Sequence, residues 1–430
     1  MKIITISIRY IVTAILIGIY ATSFAQQSFN GKCASDFVIN KLYENKPELR
    51  AKREQERQDN INRILSSNLA TNNARTTNST ITISVVVHIV LPNPSRVTDE
   101  QINAQIQSLN ENFAGESPDN VNIPNHFKSL FGKSNIRFCL APNGIIRKNV
   151  DLQSDPGQGD QVKFDALGGS DAVEPNKNLN IWVCKTAGQL LGYSFSPESI
   201  GTGVGLLGIE NAGVVIKETA FGTGGTAKSP YNLGRTAVHE VGHFLGLAHI
   251  WGNTSCDATG TCDDDDGIGD TPKQFTCTEN TPVFSGEIIK DDCSPNDPGI
   301  MWMNYMDYVD DEAMLMFTIQ QHAVMEGSLS LNSWMNGLRN NGTCTATSVN
   351  ALSITNNSGI SIYPNPVNNQ FTVQKGNLTK SLNYRIVNIF GQEMSRGILN
   401  SLNTVINISN YASGTYYLHT NNEVVKILKK

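Results

Sequence analysis

The stretch His239-Glu240-Val241-Gly242-His243-Phe244-Leu245-Gly246-Leu247-Ala248-His249 decides the reading of this chain. Histidines at i and i+4 project from one face of a helix, one turn apart, so His239 and His243 can share one zinc ion. Glu240 sits beside the first of them and can reach a water at the ion's open position. Gly246 lets the helix stop, because glycine tolerates the positive φ of a helix C-terminus. The chain then returns His249 as a third nitrogen ligand. Three protein ligands with an open fourth position is the catalytic arrangement of zinc rather than the structural one. A chance match on a core helix would have to reproduce five fixed positions, whereas a lone His-Glu-x-x-His would say far less. His88, His126, His322 and His419 have no such pattern and read as ordinary surface or core histidines.

Working outward, a helix is predicted from about residue 233 to 245, with Val238, Val241 and Leu245 on its buried side. Upstream, Ile81, Ile83, Val85 and Val87 alternate with Thr, Ser and Val, as in a strand. Thr98 with Gln101 three residues later forms a capping box, and Ile102, Ile106, Leu109 and Phe113 line one face of the helix that follows. Strands are expected at 136–140, 179–184 and 213–216, and mixed strands and helices in this order indicate an α/β unit. Beyond the histidines a long loop rich in Asp, Gly and Cys runs to about Gly299, and a last helix starts near Thr318 and ends before Asn340. From Ile360 onward short strands return at 370–373, 384–389, 404–408, 415–418 and 424–428, which reads as a small all-β sandwich.

At 430 residues the chain is too long for one ordinary domain. Its net charge of -6 is spread along the length, and no basic stripe points to nucleic acid. Lys2 and Arg9 flank and interrupt a run that is strongly apolar from Ile11 to Ile19 and ends in the small-x-small Ser23-Phe24-Ala25. Residues 1–25 therefore read as a signal peptide cleaved after Ala25, the run being short for a membrane span. Residues 26–79 form a polar, Asn-rich segment with a helical middle (36–69) and an exposed stretch near Arg75. Residues 80–345 form the main domain, 346–357 a linker, and 358–430 the sandwich. Export makes the eight cysteines disulfide candidates. The four from Cys256 to Cys293 lie in an aspartate-rich loop and read as two staples rather than a metal site.

The histidine string resembles the metzincin consensus, and Met303-Asn304-Tyr305-Met306-Asp307-Tyr308 is similar to its Met-turn. Gly234-Arg235-Thr236-Ala237, Ile250-Trp251-Gly252 and Gly269-Asp270-Thr271-Pro272 sharpen the resemblance to the pappalysin family and its ulilysin-like microbial members. The match spans about residues 80 to 340. It implies an α/β (α+β) catalytic domain with a mixed sheet and an active-site helix above the cleft, and a secreted zinc endopeptidase. Glu240 is then the general base, passing a proton from the attacking water to the leaving amine. Met306 forms the floor under the zinc, and Tyr308 helps stabilise the tetrahedral intermediate.

The resemblance carries further expectations. Relatives bind calcium where this chain has Asp263-Asp264-Asp265-Asp266-Gly267 and Asp270-Thr271, oxygen-rich as a hard cation requires; Asp266 and Thr271 are the expected ligands. Many relatives carry a cysteine shortly after the Met-turn, where this chain has Ala313, and Cys256 compensates. The expected pairs are Cys256–Cys277 and Cys262–Cys293. Cys139 and Cys184 are neighbours on adjacent strands, paired or simply buried, and Cys344 lacks an obvious partner. Asp310 and Asp311 fall where relatives shape the pocket after the scissile bond, which would favour Arg or Lys there. Cys33, in Gly31-Lys32-Cys33-Ala34, can occupy the open zinc position and silence a zymogen, as in similar proenzymes; its competing role is a disulfide with Cys344. Cleavage near Arg75 would release this pro-segment.

At the other end, Ile362-Tyr363-Pro364-Asn365-Pro366, Phe390-Gly391-Gln392, Gly414-Thr415-Tyr416-Tyr417 and Lys426-Ile427-Leu428-Lys429-Lys430 resemble the sorting domain of the type IX secretion system. That implies a Gram-negative bacterium, passage through the periplasm, the type IX machinery as a partner, and release or surface attachment. A carbohydrate-binding sandwich would want an aromatic platform that the sequence lacks. The expected partners are otherwise protein or peptide substrates, with the protein a monomer. The competing function is a non-catalytic, calcium-stabilised surface adhesin, against which Glu240 argues: a structural zinc site has no use for a base beside its ligand.

Overall fold

The structure, a computed structural model, describes residues 31–70, 80–156, 160–196, 209–252, 256, 260–282, 288–331, 334–340, 344, 360–375, 382–388, 392–401, 403–420 and 424–430. The expected signal peptide at 1–25, the stretch around Arg75 and the expected linker at 346–357 lie outside the described residues. Two compact units are present, Met1–Thr347 and Ser348–Lys430.

The first unit begins with α1 (Ser35–Leu42) and α2 (Pro47–Ala70). A single helix was the expectation for 36–69. The break falls before Pro47, whose ring fits the first turn of a helix but not its interior. The sheet follows: β1 (Ile81–Leu91), α3 (Asp99–Ala114), β2 (Ile136–Asn149), β3 (Gln153–Ser154), β4 (Asn178–Thr186), β5 (Gly192–Phe195) and β6 (Gly213–Lys217). The strand order is β2-β1-β4-β6-β5, with β3 added against β4. β1, β2, β4 and β6 run parallel and the edge strand β5 antiparallel, so the sheet is mixed.

Parallel strands are covered on both faces, and here alternate residues build two cores. Ile83, Val85, Val87 and Ile89 join Ile102, Ile106, Leu109 and Phe113 of α3 in the larger one. Val90, Trp182, Cys184 and Val215 join Ala34 and Val38 in the other. Thr98 caps α3 by accepting from the Gln101 N–H. The other half of the capping box is absent: the Gln101 amide instead donates to Phe221 O at 2.7 Å and Thr226 Oγ1 at 3.0 Å, tying α3 to the loop before the active-site helix. β2 continues well past residue 140 because Ala141-Pro142-Asn143-Gly144, a turn by its residues, is absorbed as an irregularity opposite Val85 and Val87. Pro142 is tolerated because β2 is an edge strand.

The active-site helix is α4 (Arg235–Phe244), followed by β7 (Glu279–Asn280), β8 (Tyr308–Val309), α5 (Ile319–Leu331) and α6 (Met335–Asn340), the expected last helix falling into two pieces. Disulfides join Cys256 to Cys277, Cys262 to Cys293 and Cys139 to Cys344. Cys344 is thus bonded to Cys139 on β2 rather than to Cys33, the competing pairing, and Cys33 and Cys184 are buried free thiols.

The second unit holds β9 (Ile360–Tyr363), β10 (Gln370–Lys375), β11 (Leu382–Asn388), β12 (Glu393–Leu399), β13 (Asn403–Asn407), β14 (Gly414–Thr420) and β15 (Val424–Lys429). Two antiparallel sheets, β13-β10-β9 and β12-β11-β14-β15, enclose Phe371, Val373, Ile386, Leu418 and Ile427. No helix among the described residues is long and apolar enough to cross a membrane.

Candidate active site

Helix α4 starts at Gly234, whose φ of 73° suits glycine. Asp311 closes that end: its Oδ2 accepts from the N–H groups of Leu233 (2.7 Å) and Arg235 (3.3 Å). A carboxylate at a helix N-terminus complements the dipole and satisfies orphan donors. The other end is a Schellman turn. Leu247 N–H bonds Gly242 O at 3.0 Å, Gly246 N–H bonds His243 O at 2.9 Å, and Gly246 takes φ 100°. This stop after three helical turns swings His249 back beside His239 and His243.

The three imidazoles converge through their Nε2 atoms. His243 Nε2 lies 3.1 Å from Nε2 of both His239 and His249. Each Nδ1 already faces an acceptor: Tyr305 O at 2.7 Å behind His239, Leu247 O at 2.9 Å behind His243, and the Asp36 carboxylate at 2.7 Å behind His249. Acceptors behind the rings select the tautomer that leaves the Nε2 lone pairs pointing inward. Burial, foremost, pushes His239 well below its ordinary pKa and His243 down to about 3, which favours the neutral ring, the form that can bind a metal. Cys33 Sγ completes the cluster, all ligand atoms lying within 4.8 Å of one another. Three imidazole nitrogens and a sulfur suit a tetrahedral transition-metal ion.

Glu240 points into the same space. Its Oε2 accepts from Ser35 Oγ at 2.9 Å, while Oε1 is buried with no partner. Burial drives its carboxyl up to about 8. Gly192 on β5 makes room for it, since a Cβ there would meet Glu240 Cγ at 2.9 Å. Met306 is buried beneath α4, so close that a Cβ on Gly242 would meet its sulfur at 2.6 Å. Trp251 stacks on His249 with centroids 4.4 Å apart. The Tyr308 hydroxyl donates to Cys33 O at 3.1 Å.

The N-terminal segment is laid along the edge strand β5. Leu191 N–H donates to Lys32 O at 2.7 Å, Ala34 N–H donates to Gly192 O at 3.1 Å, and Cys33 pairs with Gly192 in a parallel bridge. Beside it is a cavity lined by Lys32, Tyr231, Thr236, Val309 and Met314. The Lys32 ammonium donates to Tyr308 O at 3.0 Å, lies 5.5 Å over the Tyr231 ring and 4.0 Å from the Glu279 carboxylate. Asp310 and Asp311, expected in such a pocket, are not among its lining residues. Asp311 is turned inward onto α4, and Asp310 accepts from the Thr281 hydroxyl at 3.0 Å.

Asp266 and Thr271 meet in the acidic loop, but bond to each other: Thr271 Oγ1 lies 2.8 Å from Asp266 Oδ1. Ser35, Asp36, Gly192 and Glu279 escaped the sequence reading. The first two adjoin Cys33, which was their only signal.

Two histidines on a helix and a third returned just beyond its end, with a glutamate beside the first and a mixed sheet alongside, define a metalloprotease of metzincin type. The comparisons agree. Residues 220–330 match the family model described as pregnancy-associated plasma protein-A, and residues 361–430 the one described as a secretion system C-terminal sorting domain. An extracellular metalloprotease of Pyricularia oryzae is 32% identical over 255 residues, covering 57% of this chain and 74% of its own length. A solved promirolysin variant from Tannerella forsythia superposes with a TM-score of 0.61 at 36% identity, covering 72% of this chain and 97% of that one. Mature mirolysin of the same organism, in complex with a cleaved peptide, gives 0.54 at 39% identity, covering 61% and 100%. This chain belongs to the pappalysin family of metalloproteases. It is a secreted or cell-surface enzyme carrying a type IX sorting domain.

Proposed function

We propose that the chain is the latent form of a zinc endopeptidase, with His239, His243 and His249 as ligands, Glu240 as general base and Cys33 as the group that silences it. The observation that carries this is the convergence of three Nε2 atoms and one sulfur within 4.8 Å. Zinc, when bound, supplies a Lewis acid for the scissile carbonyl and makes water nucleophilic at neutral pH. Glu240 takes the proton of the attacking water on a carboxylate oxygen and delivers it to the departing amine. Once Cys33 withdraws, the Tyr308 hydroxyl loses its acceptor and is free to donate to the oxyanion that develops on the carbonyl. Met306 supports the centre from below. The match to a proenzyme reaches 72% of the chain and that to the mature enzyme 61%, which supports residues 26–79 as a pro-segment.

A preference for Arg or Lys beside the scissile bond is supported by the ammonium of Lys32, held between Tyr308 O, the Tyr231 face and Glu279 next to the centre. Calcium at Asp266 and Thr271 has one support: burial raises the Asp266 carboxyl to about 8, a cost that an adjacent cation would remove.

The test is digestion of a denatured protein by the enzyme freed of its pro-segment, beside a chelator-treated sample and the Glu240→Ala variant. Cleavage by the first alone, with cuts beside Arg or Lys, is expected. No cleavage by any sample, with zinc and calcium supplied, would favour the adhesin.

A further inference from the structure

Of the three imidazoles, two are held from behind by the catalytic domain's own backbone, at Tyr305 O and Leu247 O. The third is not. His249 Nδ1 faces Asp36 Oδ2 at 2.7 Å, and Asp36 lies in the first turn of α1, in the segment that must leave for the enzyme to work. The same short run, Cys33-Ala34-Ser35-Asp36, thus reaches three different groups: the open ligand position through Cys33, Glu240 through Ser35, and the outer nitrogen of His249 through Asp36.

We infer that Asp36 is a positioning residue for the metal centre: it aims His249 Nε2 inward from behind, so the pro-segment helps retain the ion as well as cover it. This rests on the reading of the three histidines as ligands. A carboxylate accepting from Nδ1–H holds the ring in one tautomer and orientation and makes Nε2 a stronger donor. His249 needs that help more than the other two, because it stands in the chain after the helix has ended, whereas His239 and His243 are fixed by α4. Trp251 stacked on its ring restrains the plane but offers no acceptor to Nδ1. Departure of the segment therefore removes two supports at once, the sulfur in front and the carboxylate behind.

The experiment uses the full chain loaded with zinc and challenged with an excess of a colorimetric chelator, so that the readout is the rate of zinc release. Asp36→Ala is expected to shed zinc about tenfold faster or more than wild type, the range seen when the partner behind a ligating histidine is lost. Asp36→Asn, which keeps an acceptor without the charge, should fall between. Cys33→Ser runs alongside: an unchanged rate there would remove Cys33 from the ligand set and leave the Asp36 result standing. An Asp36→Ala chain that releases zinc at the wild-type rate overturns the inference and leaves latency through Cys33 intact. Thiol alkylation separates positioning from loss of the whole segment. Cys33 must stay unreactive in zinc-loaded Asp36→Ala; labelling at the rate of a free thiol would show that the segment has detached, and would also overturn the inference.

Discussion

Two regions of this molecule are rich in metal-type side chains, and they behave differently. Around α4, three imidazoles leave their Nε2 atoms unspent and aimed at one point. In the acidic loop Asp265, Asp266 and Asp270 are instead taken up by protein donors. Asp265 accepts from Gly267 N–H at 2.8 Å, Asp266 from Ile268 N–H at 3.0 Å and from Thr271, and Asp270 from Thr318 Oγ1 and Gln320 N–H at the start of α5. A helix converts i, i+4 spacing directly into a shared face. A run of aspartates carries no such rule, because each short side chain is as ready to cap a nearby N–H as to face a cation.

The largest expected difference between the regions is catalytic. Glu240→Ala should lower kcat by about 10²–10⁴-fold while the melting temperature stays near wild type. Asp266→Ala should do the reverse, leaving kcat per folded molecule unchanged and costing about 1–3 kcal/mol by orphaning the Ile268 and Thr271 donors. Equal kinetic losses in both variants would erase the contrast. Urea unfolding and initial-rate assays on the same preparations decide it.

A buried histidine that is not at the centre gives the next effect. His88 has both ring nitrogens satisfied, by Ser170 at 2.8 Å and Asn180 at 2.9 Å, and stacks on Trp182. Burial holds it down to about 4 from an ordinary 6.5. Between those values the unfolded chain binds a proton that the folded one refuses. The stability contributed by this depressed value is whole above pH 6.5 and is lost as pH falls through 4. At roughly 1.4 kcal/mol per pKa unit this is a few kcal/mol. A His88→Gln variant should show a flatter fall in stability from pH 6.5 to 4 than wild type; an identical slope would mean that the ring takes up its proton equally in the folded and unfolded chains.

Smaller again is Gly242→Ala. The new methyl would press on the Met306 sulfur and should cost about 1–3 kcal/mol, read by thermal melting. Smallest is Asp263→Asn in the acidic loop, which should stay within about 0.5 kcal/mol of wild type with or without calcium. A calcium-dependent loss of several degrees there would show that the loop gathers its carboxylates around an ion.

The same physics explains what could be read from the sequence. His239, Glu240, His243, Gly246 and His249 were legible because helix periodicity and one left-handed glycine determine their geometry. The two-sheet tail was legible through alternation, and Phe371, Val373, Ile386 and Leu418 are buried as alternation requires. Strand β5 was not, since Gly192–Phe195 is only four residues long and has no alternating run. Glu279 was equally hidden, because it reaches Lys32 only through the pairing of β7 with β8. Asp311 had the right chemistry for a pocket but a stronger tertiary claim on it, the N-terminus of α4. The half-made capping box at Gln101 taught the same lesson, a local motif outbid by a tertiary partner.

The most direct test of the account is zinc-edge X-ray absorption on the zinc-loaded full chain and on the enzyme freed of its pro-segment. One sulfur at about 2.3 Å with nitrogens at about 2.0–2.1 Å is expected in the full chain, and loss of the sulfur after removal of the segment. A shell of nitrogen and oxygen alone in the full chain would contradict it.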